Sequence, residues 1–373
     1  MTARDNRFRE IDIFRAVAIL LVIGFHYFSR WTPPRHDLNL YPYGQYFSDV
    51  FPLSHGHLGV QFFFIISGFV IALTLESCKS FSDFALRRAA RLVPAMIVCS
   101  LVTLVIERWF LPVEEFRNLG SPLNLLPSWT FTDPYLWSKI LPATNWAHVD
   151  GSYWSLAVEV KFYFWAGVLF FLSRDRFLLA ILALCAVTWL LFAAGTVLNS
   201  KVLLRADMIF FGSYAPLFAA GIVFYRMFKE PHRFKALLPL VAACYAAELI
   251  STAITATSVS KALGTALMIT LFFAAFLAFA TGWKAPENRM LDGLAYVGLV
   301  SYPLYLLHQN IGVGLLSYGV GSEGAGLMFA LVASVIAAML LASMLVHRYV
   351  EIPGKRLILS SGRTWLKVGR VPS

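Results

Sequence analysis

Apolar residues run through this chain in long blocks of similar length, and polar residues gather in the short stretches between them. The blocks fall at about 11–29, 57–76, 92–110, 152–172, 177–197, 208–226, 236–254, 262–281, 294–317 and 327–347. Each approaches the ~20 residues a helix needs to cross a hydrocarbon layer. None alternates apolar with polar at period two, as a barrel strand does. Backbone groups in lipid must be satisfied internally, which leaves helices or a closed barrel. The pattern therefore predicts an all-α, polytopic membrane helix bundle of about ten transmembrane helices. The longest connection, about 111–151, holds several prolines with Trp129, Trp137 and Trp146, aromatics suited to a membrane–water boundary. Ala16 to Phe28 follows a basic N-terminus, as a signal peptide does. Ser29, Arg30, Trp31 and two prolines come next rather than a small-x-small cleavage site, so it reads as a retained first helix.

Composition agrees with that expectation. Apolar residues make up 58% of the 373 and charged residues only 14%, against about 25% in soluble domains; mean hydropathy is +0.68. The net charge of +10 would suggest nucleic acid in a soluble protein. Here the positive charges are segregated. With both termini cytoplasmic, 22 of the 31 Lys and Arg residues fall on the cytoplasmic side and about 8 on the other. The positive-inside rule counts this asymmetry, so the basic excess marks topology and contact with membrane lipids, with no nucleic acid. Cys78, Cys99, Cys185 and Cys244 form no CxxC pair and read as small apolar fillers. One membrane domain, 1–356, is expected, followed by a short basic cytoplasmic tail, 357–373.

Ionisable residues inside spans are rare and mark functional sites by default. The first helix, IDIFRAVAILLVIGFHYF, carries Asp12, Arg15 and His26. Arg15 and His26 are eleven residues apart, roughly 16 Å along one helix face. That places Arg15 at the cytoplasmic mouth and His26 deep in the membrane. A histidine hydrogen-bonded to a neighbouring helix is the plainer alternative for His26; capping or pairing with Arg15 is the plainer one for Asp12. In FALRRAARLVP, Arg88 and Arg91 share a face at i, i+3. Their forks suit phosphate, while positive-inside anchoring explains Arg87 and is an equal alternative for the other two. The fourth span, SYWSLAVEVKFYF, brings in Glu159 and Lys161 within about two turns of Trp154; two residues apart, they need separate partners or a cavity. His308, Gln309 and Asn310, in succession within the ninth span, point to an aqueous or substrate path. Hydrogen bonding between helices is the alternative.

Taken in order, these segments resemble acyltransferase family 3, membrane-bound O-acyltransferases of bacterial surface glycans. IDIFRAVAILLVIGFHY is similar to the family's first-helix motif and GVQFFFIISGFVI to its second-helix signature. FALRRAARLVPA resembles its Arg-x-x-Arg segment, and SYWSLAVEVKFYF its Trp-Ser-Leu-x-x-Glu helix. VSYPLYLLH and YVEIPGKRL resemble its closing segments, with His308, Glu351 and Pro353. Gln61 departs from the pattern, since relatives often carry an acid there. The resemblance runs from residue 11 to about 356 and corresponds to the stand-alone form without an SGNH domain.

The resemblance implies transfer of an acyl group, most simply acetyl, from cytoplasmic acyl-CoA to a hydroxyl of a cell-surface or lipid-linked glycan, in the bacterial inner membrane. Acyl-CoA is then a donor substrate, with no tightly bound cofactor or metal. His26 and Glu159 are the expected catalytic residues: imidazole, with a pKa near ~6.5, suits proton abstraction near neutral pH, and Glu159 would orient the ring or bind the sugar. Arg15, Arg88 and Arg91 are expected to bind the donor, and Trp154 and His308 the acceptor substrate. A transporter or flippase using the same buried charges is the competing class; a sensor without turnover is another.

Overall fold

The computed structural model describes residues 8–111, 116, 121–142, 144–321 and 324–368. The ends of the expected N-terminus and tail, 1–7 and 369–373, lie outside the described residues. Among the described residues there is no strand. The long helices are α1 (Arg9–Phe28), α2 (Gly59–Ser77), α3 (Phe81–Trp109), α4 (Trp154–Leu172), α5 (Phe177–Val197), α6 (Ala215–Lys229), α7 (Phe234–Thr255) and α8 (Val259–Ala280). Then come α9 (Arg289–Leu299), α10 (Ser301–Leu307), α11 (Asn310–Ser317), α12 (Ala325–Val346) and α13 (Ile352–Val368). Eight helices are long and apolar enough to cross a membrane, or up to ten if two bent pairs each count as one span. The protein is a multi-pass membrane helix bundle. The runs expected at 208–226 and 294–317 are the two that are not straight: helix breaks divide them.

The chain divides into two compact units. The first comprises Met1–Phe25, Val50–Ser77 and Val158–Leu299, and the second His26–Asp49, Cys78–Ala157 and Val300–Ser373.

In the first unit α2 and α6 meet backbone to backbone. A Cβ added to Gly221 would lie 2.1 Å from the carbonyl oxygen of Ile65, and one on Gly68 would lie 2.2 Å from that of Phe218. Small residues let helices approach this closely in lipid, where apolar burial no longer separates folded from unfolded. Phenylalanines fill the space beside the crossing. Phe62 stacks on Phe272 at 4.3 Å, and Phe224 stacks on Phe276 at 5.4 Å. The helical turns before α6 bend by 79° into it. α4 staples that bend: Lys161 Nζ donates to the Asp207 carbonyl and Trp165 Nε1 to the Ile209 carbonyl, while Asp207 Oδ1 accepts from Gly212 N at 2.8 Å. Lys161, whose intramembrane charge called for a partner, is thus tied to a helix break.

In the second unit α3 starts at Ser80, whose hydroxyl accepts from Asp83 N, and carries Pro94 in its interior. Pro94 removes one helical hydrogen bond, and its ring lies where α13 crosses: a Cβ on Gly354 would be 2.6 Å from Pro94 Cβ. A π-turn, His347–Glu351, links α12 to α13, with His347 Nδ1 and Glu351 Oε2 2.5 Å apart.

The α2–α6 crossing yields a direct test. Gly221→Ala places a methyl group against the Ile65 carbonyl, and backbone there has no room to yield. Thermal unfolding of the purified variant should show a loss of about 1–3 kcal/mol, whereas Gly293→Ala, where a Cβ meets nothing within 4 Å, should leave the transition in place. An unchanged Gly221→Ala transition would mean the helices are not in backbone contact.

Candidate active site

His26 lies in the last turn of α1, two residues before the helix ends at Phe28. It stands where a helix exposes unsatisfied carbonyls. Its own carbonyl is taken by Tyr41 Oη at 2.6 Å, and Tyr41 Oη in turn accepts from Trp31 N at 2.9 Å. The residue after His26, Tyr27, sends its hydroxyl to the His308 carbonyl at 2.9 Å. The two tyrosines hold the backbones of two histidines that the chain separates by 282 positions.

His308 sits in the break between α10 and α11, and the break has a specific chemical origin. In an unbroken helix Asn310 N would donate to Leu306 O and Gln309 N to Tyr305 O. Asn310 N donates instead to Asp150 Oδ2 at 2.9 Å, and Leu306 O accepts from Tyr153 Oη at 3.0 Å. Tyr305 O accepts from the His308 ring through Nδ1 at 2.8 Å. Ser152 adds a hydroxyl to that same carbonyl at 3.4 Å, and its own carbonyl accepts from Tyr305 Oη at 2.8 Å. Residues 150–153, ahead of α4, thus substitute side chains for helical rungs. Asp150 also accepts from Ser152 N at 2.8 Å. Burial pushes its carboxyl up to about 6, against the opposing pull of the N–H groups of Asn310 and Ser152. Asn310 Nδ2 donates to Glu107 Oε1 at 2.6 Å and to the Val149 carbonyl at 3.2 Å, and Gln309 Nε2 donates to Asn310 Oδ1.

His308, Gln309 and Asn310 are all buried. The expected aqueous path along these three residues is therefore not what the structure shows: Gln309 and Asn310 are consumed in holding the break. His308 is held for a different purpose. Its Nε2 lies 3.2 Å from His26 Nδ1, with ring centroids 5.0 Å apart.

The proton positions in this pair follow from its partners. A carbonyl oxygen has no hydrogen, so His308 Nδ1 must donate to Tyr305 O. A neutral imidazole carries one N–H, so His308 Nε2 is the acceptor and His26 Nδ1 the donor. The lone pair of neutral His26 is left on Nε2. The pair is therefore polarised in one direction, with the basic nitrogen on His26.

The other expected residues occupy different surroundings. Glu159, half-buried in the first unit, accepts at Oε1 from Ser67 Oγ at 2.7 Å and from Tyr163 Oη at 2.5 Å. Arg15 lies 3.1 Å from Asp12 Oδ1, also in the first unit. Arg88 and Arg91 stand half-buried on α3 in the second, Arg88 with its guanidinium 5.9 Å from the Phe84 ring. Both Arg87 bonds go to the Asp83 carboxylate at 3.1 Å, which occupies its fork and leaves it a local role. Trp154 opens α4 with 38% of its surface exposed. Sequence reasoning missed Tyr27, Tyr41, Asp150, Ser152, Tyr305 and Glu107. An acid at 107 inside an apolar run was the one legible signal; the rest act through hydroxyls and carbonyls that carry no distinctive pattern.

The profile of the acyltransferase domain family matches residues 8–348, more than nine-tenths of the chain and every helix from α1 to α12. The chain belongs to that family. Among curated proteins it is 28% identical over 162 residues to the O-acetyl transferase of Shigella phage Sf6, covering 42% of this chain and 44% of that protein. It is likewise 28% identical over 210 residues to the peptidoglycan O-acetyltransferase OatA of Listeria monocytogenes, covering 50% of this chain and 29% of that protein. The chain thus aligns with less than half the length of either relative. No solved structure matches it. Within the family assignment, the paired imidazoles of the second unit have the chemistry of a base.

The clasp on the helix break makes Asp150 testable. Asp150→Ala strands two buried N–H groups, at ~1–3 kcal/mol for an unmade bond, and should lower the thermal transition while loosening His308. In the parent the fold favours the neutral carboxyl, so this group's contribution to stability is present at pH 4 and is lost as pH rises through about 6. Asp150→Asn should flatten that slope in unfolding measured from pH 4 to 7. A slope of the parental size in Asp150→Asn would assign the titration elsewhere.

Proposed function

We propose that this protein is a membrane-bound O-acyltransferase. It transfers an acyl group, most simply acetyl, from acyl-CoA at the cytoplasmic face to a hydroxyl of a surface or lipid-linked glycan, and it resides in a bacterial inner membrane. The observation that carries the proposal is the one-way imidazole pair, His26–His308, in a chain of the acyltransferase family. The names of the two relatives, both O-acetyl transferases, support acetyl as the group and oxygen as its destination.

The chemistry follows from the pair. The acceptor hydroxyl gives its proton to His26 Nε2 while its oxygen attacks the thioester carbonyl carbon. The C–S bond breaks, and the CoA sulfur leaves with the electron pair and takes up a proton. As His26 becomes positive, its Nδ1–H bond to His308 Nε2 strengthens, since charged donors form roughly twice as strong a hydrogen bond. His308 thus orients the base and spreads the charge, the part that a carboxylate plays in serine hydrolases. Direct attack on the thioester requires no nucleophilic serine. Arg88 and Arg91, on one face of α3 in the same unit, supply forks for the donor's phosphates. Glu159 accepts two hydroxyls at Oε1 and takes no part in the proton transfer.

His26→Gln tests the proposal. Glutamine keeps much of the size and one hydrogen bond, so folded yield and thermal transition should stay near parental. Transfer of radiolabelled acetyl from acetyl-CoA to cell-surface polysaccharide should fall by roughly two to four powers of ten, the usual worth of a positioned base. A well-folded His26→Gln protein with near-parental transfer would remove His26 from the mechanism.

A further inference from the structure

The segment between α1 and α2 closes on itself near His26. Ser29 Oγ and Arg35 Nη1 both donate to the Ser48 carbonyl, at 2.5 and 2.6 Å. Inside this closure the rings of Phe28, Tyr43 and Tyr41 form one stack. Phe28 and Tyr43 are 5.3 Å apart and 18° from parallel, and Tyr43 and Tyr41 are 5.3 Å apart at 22°. Phe47 stands edge-on to both Phe28 and Tyr43 at 5.4 Å. Tyr46 packs against Phe47 and is 79% exposed.

Three phenol hydroxyls meet here, and only two have partners. Those of Tyr27 and Tyr41 hold the carbonyls of His308 and His26. The Tyr43 hydroxyl is buried with no hydrogen-bond partner. Burial, and then the nearby phenols of Tyr41 and Tyr27, push its pKa up, so it is a neutral group able to donate. A tyrosine serving only as a membrane-boundary anchor turns its hydroxyl to water. A phenylalanine would fill the same slot in the stack without stranding a polar atom.

We infer that this aromatic stack is the subsite for the sugar acceptor, in which Tyr43 Oη hydrogen-bonds a sugar hydroxyl and exposed Tyr46 offers a ring to a sugar face. The inference rests on the O-acyltransferase reading and extends it from the base to the acceptor. Carbohydrates suit such a surface, because their C–H faces lie on aromatic rings while hydroxyls satisfy the polar tips. The neighbouring imidazole pair would then receive the proton of a hydroxyl already held by its sugar.

The test uses the purified full-length protein, acetyl-CoA, and surface polysaccharide stripped of esters by mild alkali. Tyr43→Phe keeps the stack and removes one oxygen. Its thermal transition should equal or exceed the parental one. kcat/KM for the polysaccharide should fall about tenfold to a hundredfold, the worth of one lost hydrogen bond. KM for acetyl-CoA and its slow hydrolysis by water should not move. Tyr46→Ala should raise KM for the polysaccharide alone. Saturation-transfer NMR reads polysaccharide binding without turnover, and its signal should drop in Tyr43→Phe. Parental kcat/KM and binding in Tyr43→Phe overturn the subsite and mean that the hydroxyl holds only water. An equal loss of hydrolysis and transfer also overturns it, by placing Tyr43 in the acyl step. If the parent binds the polysaccharide through Tyr43 yet never consumes acetyl-CoA, the subsite stands and the acyltransferase reading falls. A parent that does not bind the polysaccharide overturns the subsite.

Discussion

A helix broken in a buried interior must find a partner for every N–H and C=O that the break releases. The break at 308–310 meets that demand with side chains, and the arrangement of the second unit follows from how it does so. Asp150 takes the Asn310 N–H, Tyr153 supplies the Leu306 carbonyl, and the His308 ring supplies the Tyr305 carbonyl. The last of these has the widest consequence. By committing its one proton to a backbone carbonyl, His308 becomes an acceptor on its other nitrogen, and so sets the tautomer of His26. A backbone requirement is thereby converted into a directed base. Buried tyrosines then fix the backbones of both histidines.

The costly polar groups fall into two kinds, and the difference separates structural from chemical roles. Lys161 and Asp207 in the first unit are spent on a bend before α6. Arg87 is spent on Asp83 within one helix turn. Such groups satisfy the general rule that buried charge is paired and need no further function. His26 and His308 form a pair of neutral bases, which adds little to folding that two apolar rings could not. Their hydrogen bond is better accounted for by the lone pair it assigns to His26 Nε2.

Much of the fold was legible in the sequence because lipid imposes a single local rule, and apolar runs of spanning length obey it wherever they occur. The two runs that proved broken, at 208–226 and 294–317, are the informative exceptions. Their breaks depend on Lys161, Trp165, Asp150 and Tyr153, partners tens to more than a hundred residues away, which periodicity cannot register. His26 and His308 were visible singly as costly residues in spans. Their pairing was not, since no spacing connects positions 282 apart. Glu159 stood out for the same reason as the histidines, yet its carboxylate holds the hydroxyls of Ser67 and Tyr163, a role that an acid in an apolar helix does not announce.

The directed imidazole pair is the centre of this account, and nitrogen NMR reads it most directly. Spectra of the purified protein labelled with 15N at its 8 histidines would be compared with those of His26→Gln and His308→Gln to assign the two rings. In the neutral pair each should carry its proton on Nδ1, with unprotonated Nε2 on His26 and a coupling from His26 Nδ1–H to His308 Nε2. A proton on His26 Nε2 in the neutral state would place the lone pair against His308 instead of toward substrate, and would contradict the account.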